Sequence, residues 1–337
     1  MTYRAFGDSI INGAGASSPA ARFISKLNVS LGIEVKNISV PGSMVMDQEA
    51  AVYGEEFLPG DITLHCFGAN DQAKYLLDSG KRGYFIDGLR AYAILSSAKT
   101  YAARPENGVT FTGAWSSSYS YGTYGSVTPG AKATFVADGD AICLGMMRQT
   151  GNTSTFRVIV DGQSKGVFAS GGDVTTVKGK PYGPMGLCFK NLGEGQHTVE
   201  IQVVSTDGFY PVYFRFFSAC EPQATAVILS VPRAVAYIGG GSDANVSAYN
   251  SAISALVKEL QTIGLKVLFV DVTSLLKTDD MHDDVHPSDS GHMKYYAAIS
   301  AQLLDPSVVL KLASVFTDYL GNMYIATAEG VRKLSTD

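Results

Sequence analysis

Three residue types in this 337-residue chain have the surroundings to do chemistry together: a serine, a histidine and an aspartate. Ser9 ends a Gly7-Asp8-Ser9 turn that directly follows a β-like run at residues 3–6. A serine at the C-terminal end of a first strand stands where open α/β sheets carry their ligands. Taken alone the triplet is an ordinary turn. A hydroxyl is a poor nucleophile at neutral pH and needs a base, which in turn needs an acid to hold one tautomer. Asp283-Asp284-Val285-His286-Pro287 offers both. On a tight loop, an aspartate three residues before a histidine can turn its carboxylate onto the near ring nitrogen, leaving the far nitrogen for Ser9. The other histidines have different settings: His65 and His197 fall in strand patterns, His282 adjoins the acidic run and His292 falls on a helix. An attacked ester also needs hydrogen-bond donors aimed at its developing negative charge. Gly42, after Val40-Pro41, offers a backbone N–H, and Asn70, after Gly68-Ala69, offers a side-chain amide. Each has a plain alternative, a Pro-Gly turn for Gly42 and a helix cap for Asn70.

In their order and at their strand ends, Gly7-Asp8-Ser9, Gly42, Gly68-Ala69-Asn70-Asp71 and Asp283-Asp284-Val285-His286-Pro287 resemble the four signature blocks of the SGNH (GDSL-type) hydrolases. The resemblance covers about residues 1–100 and 221–304. It implies a three-layer α/β/α parallel sheet and no cofactor or metal. It implies Ser9 as nucleophile, His286 as base and Asp283 as acid, with the Ser9 N–H, the Gly42 N–H and the Asn70 side chain as oxyanion hole. An α/β-hydrolase shares the order Ser, Asp, His, but the chain has no G-x-S-x-G elbow. Gly239-Gly240-Gly241 lacks the G-x-G-x-x-G spacing of a nucleotide loop.

The elements that must position these residues alternate strand and helix over residues 1–103 and again over 221–318, the rhythm of a parallel sheet with crossovers. Strands are expected at 35–40 and 62–67, and helices at 20–31, 44–53, 84–98, 248–263 and 291–304. Between the two parts, residues 104–220 form short alternating runs broken by turn residues, which predict an inserted antiparallel β-sandwich, jelly-roll-like. Residues 319–337 read as a C-terminal β-rich extension. The insert leaves after a helix and returns before a strand, so it is expected at the sheet edge away from Ser9, replaceable by a linker. It holds the single tryptophan, Trp115, followed by Tyr119, Tyr121 and Tyr124. Such aromatics either stack on sugar faces or pack within the sandwich.

Composition bounds the partners. The chain is 46% hydrophobic and 17% charged with net charge −5, and has no basic run, which argues against a nucleic-acid partner. No stretch has the length of a membrane span. The four cysteines, Cys66, Cys143, Cys188 and Cys220, lack metal-site spacing. No leader is evident, so the expectation is a cytoplasmically made protein or one lacking its leader. SGNH enzymes joined to β-sandwiches resemble carbohydrate esterases, which implies an acetylated polysaccharide or oligosaccharide as substrate. A bacteriophage tail-spike deacetylase is the further resemblance; it implies a virion-tail location and a trimer as the homo-oligomer. The rivals are a non-catalytic glycan-binding tail or adhesin protein, and a lipase or thioesterase.

Overall fold

The computed structural model describes residues 1–32, 35–119, 122–172, 181–237, 239–303, 316–317, 323–327 and 330–333. The chain is mixed α/β, with one parallel sheet and separate antiparallel sheets. The parallel sheet has five strands in the spatial order Val267–Val270, Thr225–Leu229, Ile62–Cys66, Tyr3–Gly7, Val35–Asn37. From Tyr3–Gly7 the chain crosses first to the Val35–Asn37 side and then to the Ile62–Cys66 side. That reversal makes the end of the first strand a topological switch point, where a crevice opens beyond the strand ends.

Side-chain alternation assigns each face of the sheet its own core. Tyr3 and Ala5, with Val227 and Leu229, pack with Phe23, Leu27, Tyr295 and Ile299 from helices Phe23–Leu31 and Asp289–Leu303. Phe6, with Ala226 and Ile228, packs with Phe85, Leu89, Tyr249 and Ile253 from helices Ser79–Ser97 and Asp243–Thr262. The result is helix, sheet, helix. Among the described residues no helix is long and apolar enough to cross a membrane.

Local chemistry moved several expected boundaries. The helix expected at 84–98 is Ser79–Ser97, because the Asp78 side chain accepts from the Lys81 N–H at 3.0 Å and starts it a turn earlier. Gly80 and Gly83 had blurred its periodicity. The strand expected at 35–40 is Val35–Asn37, although the Ile38 and Val40 N–H groups still donate to Ala5 and Gly7 carbonyls at 2.9 Å. The helix expected at 44–53 is split into a 3₁₀ turn, Val45–Gln48, and an α-helix, Glu49–Tyr53.

Residues between the two α/β parts form two antiparallel sheets. One runs Gln163–Ala169, Thr155–Val160, Gln196–Ser205, Lys132–Asp138, Thr110–Thr112; the other runs Tyr182–Phe189, Ile142–Gln149, Val212–Ser218, Thr123–Ser126, Ser116–Tyr119. They face each other through a shared core in which Phe135 lies 5.7 Å from Phe214 and 4.1 Å from Phe217. Strand Ile142–Gln149 is almost continuously apolar because both its faces are covered. One face meets the opposite sheet; from the other, Cys143 joins Phe216 in the core under helix Ser79–Ser97.

The roots of this unit lie at the N-terminal edge of the parallel sheet. Ala98 bridges Pro222, and the Gly60 N–H, just before strand Ile62–Cys66, donates to the Gln223 carbonyl at 2.9 Å. From there the unit runs alongside helix Ser79–Ser97. The Arg90 guanidinium donates to the Gly186 carbonyl at 3.3 Å, and Arg148 pairs with Asp87 at 2.7 Å while lying 5.1 Å over the Tyr84 ring. No residue from 81 to 98 is exposed. Replacing the insert by a linker would bare the face of this helix that strand Tyr182–Phe189 covers, so the replacement carries a cost in stability.

Of the expected C-terminal extension, the backbone of Phe316–Thr317, Met323–Thr327 and Gly330–Lys333 forms a three-stranded antiparallel sheet. The rest of residues 319–337 lies outside the described residues.

Candidate active site

The first strand ends at Gly7, and only glycine fits there: a Cβ at this position would meet the Cys66 carbonyl on the neighbouring strand. Asp8 then caps the short helix Ser9–Asn12 by accepting from the Ile10 N–H at 2.9 Å. Asp8 is buried, and burial pushes its carboxyl up to about 6 against the opposing pull of the Ile10 N–H and His286. Ser9, held at that helix start, points its hydroxyl at a histidine. Ser9 Oγ lies 2.9 Å from His286 Nε2, and His286 Nδ1 lies 2.8 Å from Asp283 Oδ2.

The loop that carries this histidine is tied at several points. The Met281–Pro287 bridge and the His282 N–H to His286 carbonyl bond of 2.8 Å close it. Asp283 Oδ1 accepts from the Val285 and His286 N–H groups at 2.9 and 2.7 Å, so the same carboxylate shapes the turn and orients the ring. Burial alone would raise the Asp283 carboxyl, but the bonds from the His286 ring and from the Val285 and His286 amides outweigh it. Together they hold the carboxyl at about 2. With Asp283 ionised, Nδ1 carries the proton and Nε2 is free to accept from the Ser9 hydroxyl.

Ser9, Gly42, Asn70 and His286 all line one cavity of about 750 Å³. Gly42 sits at φ +74° with open space around its Cα. Asn70 is in the first turn of helix Ala69–Tyr75, whose N-cap is Gly68 at φ +114°. Asn70 is therefore not the cap. Its Nδ2 donates to the Ser43 carbonyl at 2.9 Å, which fixes the amide beside the Gly42 turn and leaves its second N–H for another acceptor.

Trp115, Tyr119 and Tyr124 do not line this cavity. Trp115 lies 5.2 Å from Phe111, and Tyr124 stacks on Phe111 at 4.5 Å. Tyr119 meets Tyr213 edge-on at 5.1 Å, and Tyr182 meets the same ring at 6.3 Å. Tyr121 lies outside the described residues. Among the described residues no group of three or more His, Cys, Asp or Glu side chains is placed to hold a metal ion.

No family model matches this chain, and no curated protein matches it in sequence. Similar solved structures include a member of the lipolytic protein G-D-S-L family from Veillonella parvula, at 12% identity and TM-score 0.42 over 88% of this chain and 96% of that one. Another is a two-domain esterase active on acetylated mannans, at 12% identity and TM-score 0.35 over 67% of this chain and 91% of that one. A third is a carbohydrate-binding module, CBM36, in complex with calcium and xylotriose, at 14% identity and TM-score 0.27 over 36% of this chain and 98% of that one. At such TM-scores nothing about those proteins transfers to this chain.

Beneath the cavity lie polar residues that sequence reasoning passed over. Gln48, fully buried, bonds both the N–H and the carbonyl of Gly7 and donates to Ser43 Oγ at 2.8 Å. Asp71, also fully buried, accepts from the Val45 N–H at 3.2 Å. Burial pushes the Asp71 carboxyl up to about 8; the Val45 N–H opposes this, and the charges of Asp8 and Asp47 add to it. The Asn70-Asp71 doublet was a usable signal for Asp71. Gln48 had none.

Proposed function

We propose that this protein is a serine esterase of SGNH type that removes short acyl groups, acetyl foremost, from a carbohydrate. The observation that carries the reading is the unbroken chain from Ser9 Oγ through His286 to Asp283 at 2.9 and 2.8 Å, opening on a cavity that Gly42 and Asn70 share. In this reading residues 1–103 and 221–318 form the catalytic unit and residues 104–220 an inserted unit for glycan.

The chemistry follows from the geometry. Ser9 Oγ attacks the ester carbonyl as its proton passes to His286 Nε2, and the imidazolium is held by Asp283 at Nδ1. The carbonyl oxygen becomes an oxyanion facing the Ser9 and Gly42 N–H groups and the second Asn70 N–H, donors fixed in advance of the reaction. The C–O bond to the sugar breaks, His286 gives its proton to the departing sugar oxygen, and acyl-Ser9 remains. Water then attacks this ester with His286 again as base, releasing the carboxylic acid and restoring Ser9.

Arrangement of the aromatics supports a glycan-holding role for a set of rings that shares Tyr119 with the one the sequence suggested. Phe209 is 85% exposed, and Tyr182 and Tyr210 are each 36% exposed. Tyr182 and Tyr210 lie beside Tyr213, as does Tyr119, at the end of the inserted unit farthest from its roots. The test is a rate series on acetyl, butyryl and octanoyl aryl esters, beside acetate release from acetylated polysaccharides. Fastest turnover of acetyl esters together with acetate release supports the reading; a preference for octanoyl esters assigns a lipase or thioesterase instead.

A further inference from the structure

Three of the four cysteines, none of them used by the chemistry at Ser9, converge on one point of the fold. Cys143 lies on strand Ile142–Gln149, and antiparallel pairing sets Cys188 of strand Tyr182–Phe189 directly opposite it. On the other flank Ser218 of strand Val212–Ser218 faces Cys143, which brings in Cys220 just beyond the strand end. Cys220 Sγ lies 3.4 Å from Cys143 Sγ, although the two residues are 77 positions apart. Cys143 also hydrogen-bonds Cys188 through its side chain. All three are free thiols and belong to the one core under helix Ser79–Ser97.

The spacing suits disulfide chemistry on both sides of Cys143. Directly opposed residues of antiparallel strands have Cα atoms about 4.5–5.5 Å apart, inside the range of about 4.4–6.8 Å that a disulfide spans. The Cys143 and Cys220 sulfurs are already in contact and need to close only to about 2.0 Å. Access differs among the three. Cys143 and Cys220 are 0% and 6% exposed, whereas Cys188 is half-buried and within reach of solvent. Burial pushes the Cys143 thiol well up, and its two cysteine neighbours add to this, so Cys143 is a poor first target for an oxidant.

We propose that these three residues form a site of reversible oxidation: a hydroperoxide reacts at Cys188, Cys143 resolves the product, and the disulfide comes to rest between Cys143 and Cys220. In the first step the Cys188 sulfur takes one oxygen of hydrogen peroxide, giving a sulfenic acid, and the other oxygen leaves as water. The Cys143 sulfur then attacks the Cys188 sulfur. The S–S bond forms, the S–O bond breaks, and the oxygen leaves as a second water with the Cys143 proton. Two thiols have then given two electrons and two protons to one peroxide. Cys220 next attacks the Cys143 sulfur, which frees the Cys188 thiol with no further oxidation. The bond rests on the buried pair because thiols in solution reach it least. Cys220 stands two residues before Pro222, whose bridge to Ala98 roots the insert, so this bond braces the root. The site is independent of the esterase reading.

The test treats the full chain, first reduced and freed of reductant, with a slight excess of hydrogen peroxide. Remaining thiols are blocked with N-ethylmaleimide under denaturing conditions, and the peptides are mapped by mass spectrometry without reduction. The expected product joins Cys143 to Cys220, leaves Cys188 alkylated and reverts with dithiothreitol. Cys66, buried in the core on the opposite face of the parallel sheet, serves as the unreacted control. In Cys188→Ser the linkage is expected to form about tenfold more slowly or worse, because the accessible thiol is gone. In Cys220→Ser the bond should stop at Cys143–Cys188. Recovery of all four cysteines as thiols, or of sulfinic and sulfonic acids with no linked pair, overturns the proposal on the native protein alone. So does linkage at the native rate in Cys188→Ser, or a bond that stays on Cys188 in the native protein.

Discussion

Gly7 and Gln48 clasp each other through both of their amides: the Gly7 N–H donates to Gln48 Oε1 at 3.3 Å, and Gln48 Nε2 donates back to the Gly7 carbonyl. One buried side chain thus holds the strand end from which Ser9 hangs. Gln48→Ala takes this acceptor from the Gly7 N–H, while the Gly7 carbonyl keeps the Val40 N–H and the Ser43 hydroxyl, and should cost about 1–3 kcal/mol of stability. It should also displace the Ser9 turn, lowering kcat by up to about 10²-fold with a smaller effect on KM. Gln48→Glu retains an acceptor for Gly7 and should fall between. Thermal melts and steady-state kinetics on an aryl acetate check both. A Gln48→Ala protein of native kcat would show that the clasp does not position the serine.

Ser9→Ala should lower kcat by about 10³-fold or more while the melting temperature stays near native. The check is turnover of an acetyl ester by a protein shown to be folded. Undiminished turnover would remove the mechanism.

Asn70→Ala should lower kcat by roughly 10²–10³-fold with little change in KM, because an oxyanion donor acts mainly in the transition state. The bond from Asn70 to the Ser43 carbonyl is lost too, so a modest drop in melting temperature accompanies it. A loss confined to KM would make Asn70 a substrate-binding residue.

Asp71 gives the fold a pH dependence of definite sign. Its carboxyl is raised to about 8 in the folded protein, against about 4 in an unfolded chain. Between those values the folded state binds the proton that the unfolded state releases, so stability falls as pH rises from about 4 toward 8. Asp71→Asn should flatten that slope and raise stability at pH 8 relative to the native protein. Denaturant melts across that range decide it; an unchanged slope would show that Asp71 is not the source.

What the sequence made legible is the set of groups that announce themselves by type and position. Ser9, Gly42, Asn70 and His286 each follow a strand signal, and Asp283 sits in a spacing that brings its carboxylate to the histidine ring. The alternation of strands and helices made the parallel sheet readable too. What stayed hidden depends on partners distant in the chain. Gln48 matters because Gly7 lies 41 residues away, and no local pattern marks it. Lys74, on helix Ala69–Tyr75, and Arg233, after strand Thr225–Leu229, come to line the cavity of Ser9 only when the sheet forms. Trp115 drew attention as the single tryptophan, yet its contact with Phe111 is a packing relation between insert residues that composition cannot foresee.

Helix Ser79–Ser97 lies against the parallel sheet on one side and strand Tyr182–Phe189 on the other, and at Gly186 the approach is so close that a Cβ would come within 2.6 Å of the Ala91 nitrogen. That shared helix is expected to couple the two halves in unfolding. Heating should produce one calorimetric transition, because neither half can melt without stripping the common helix of a neighbour. Proteolysis that nicks exposed turns of the insert should likewise yield fragments that stay associated.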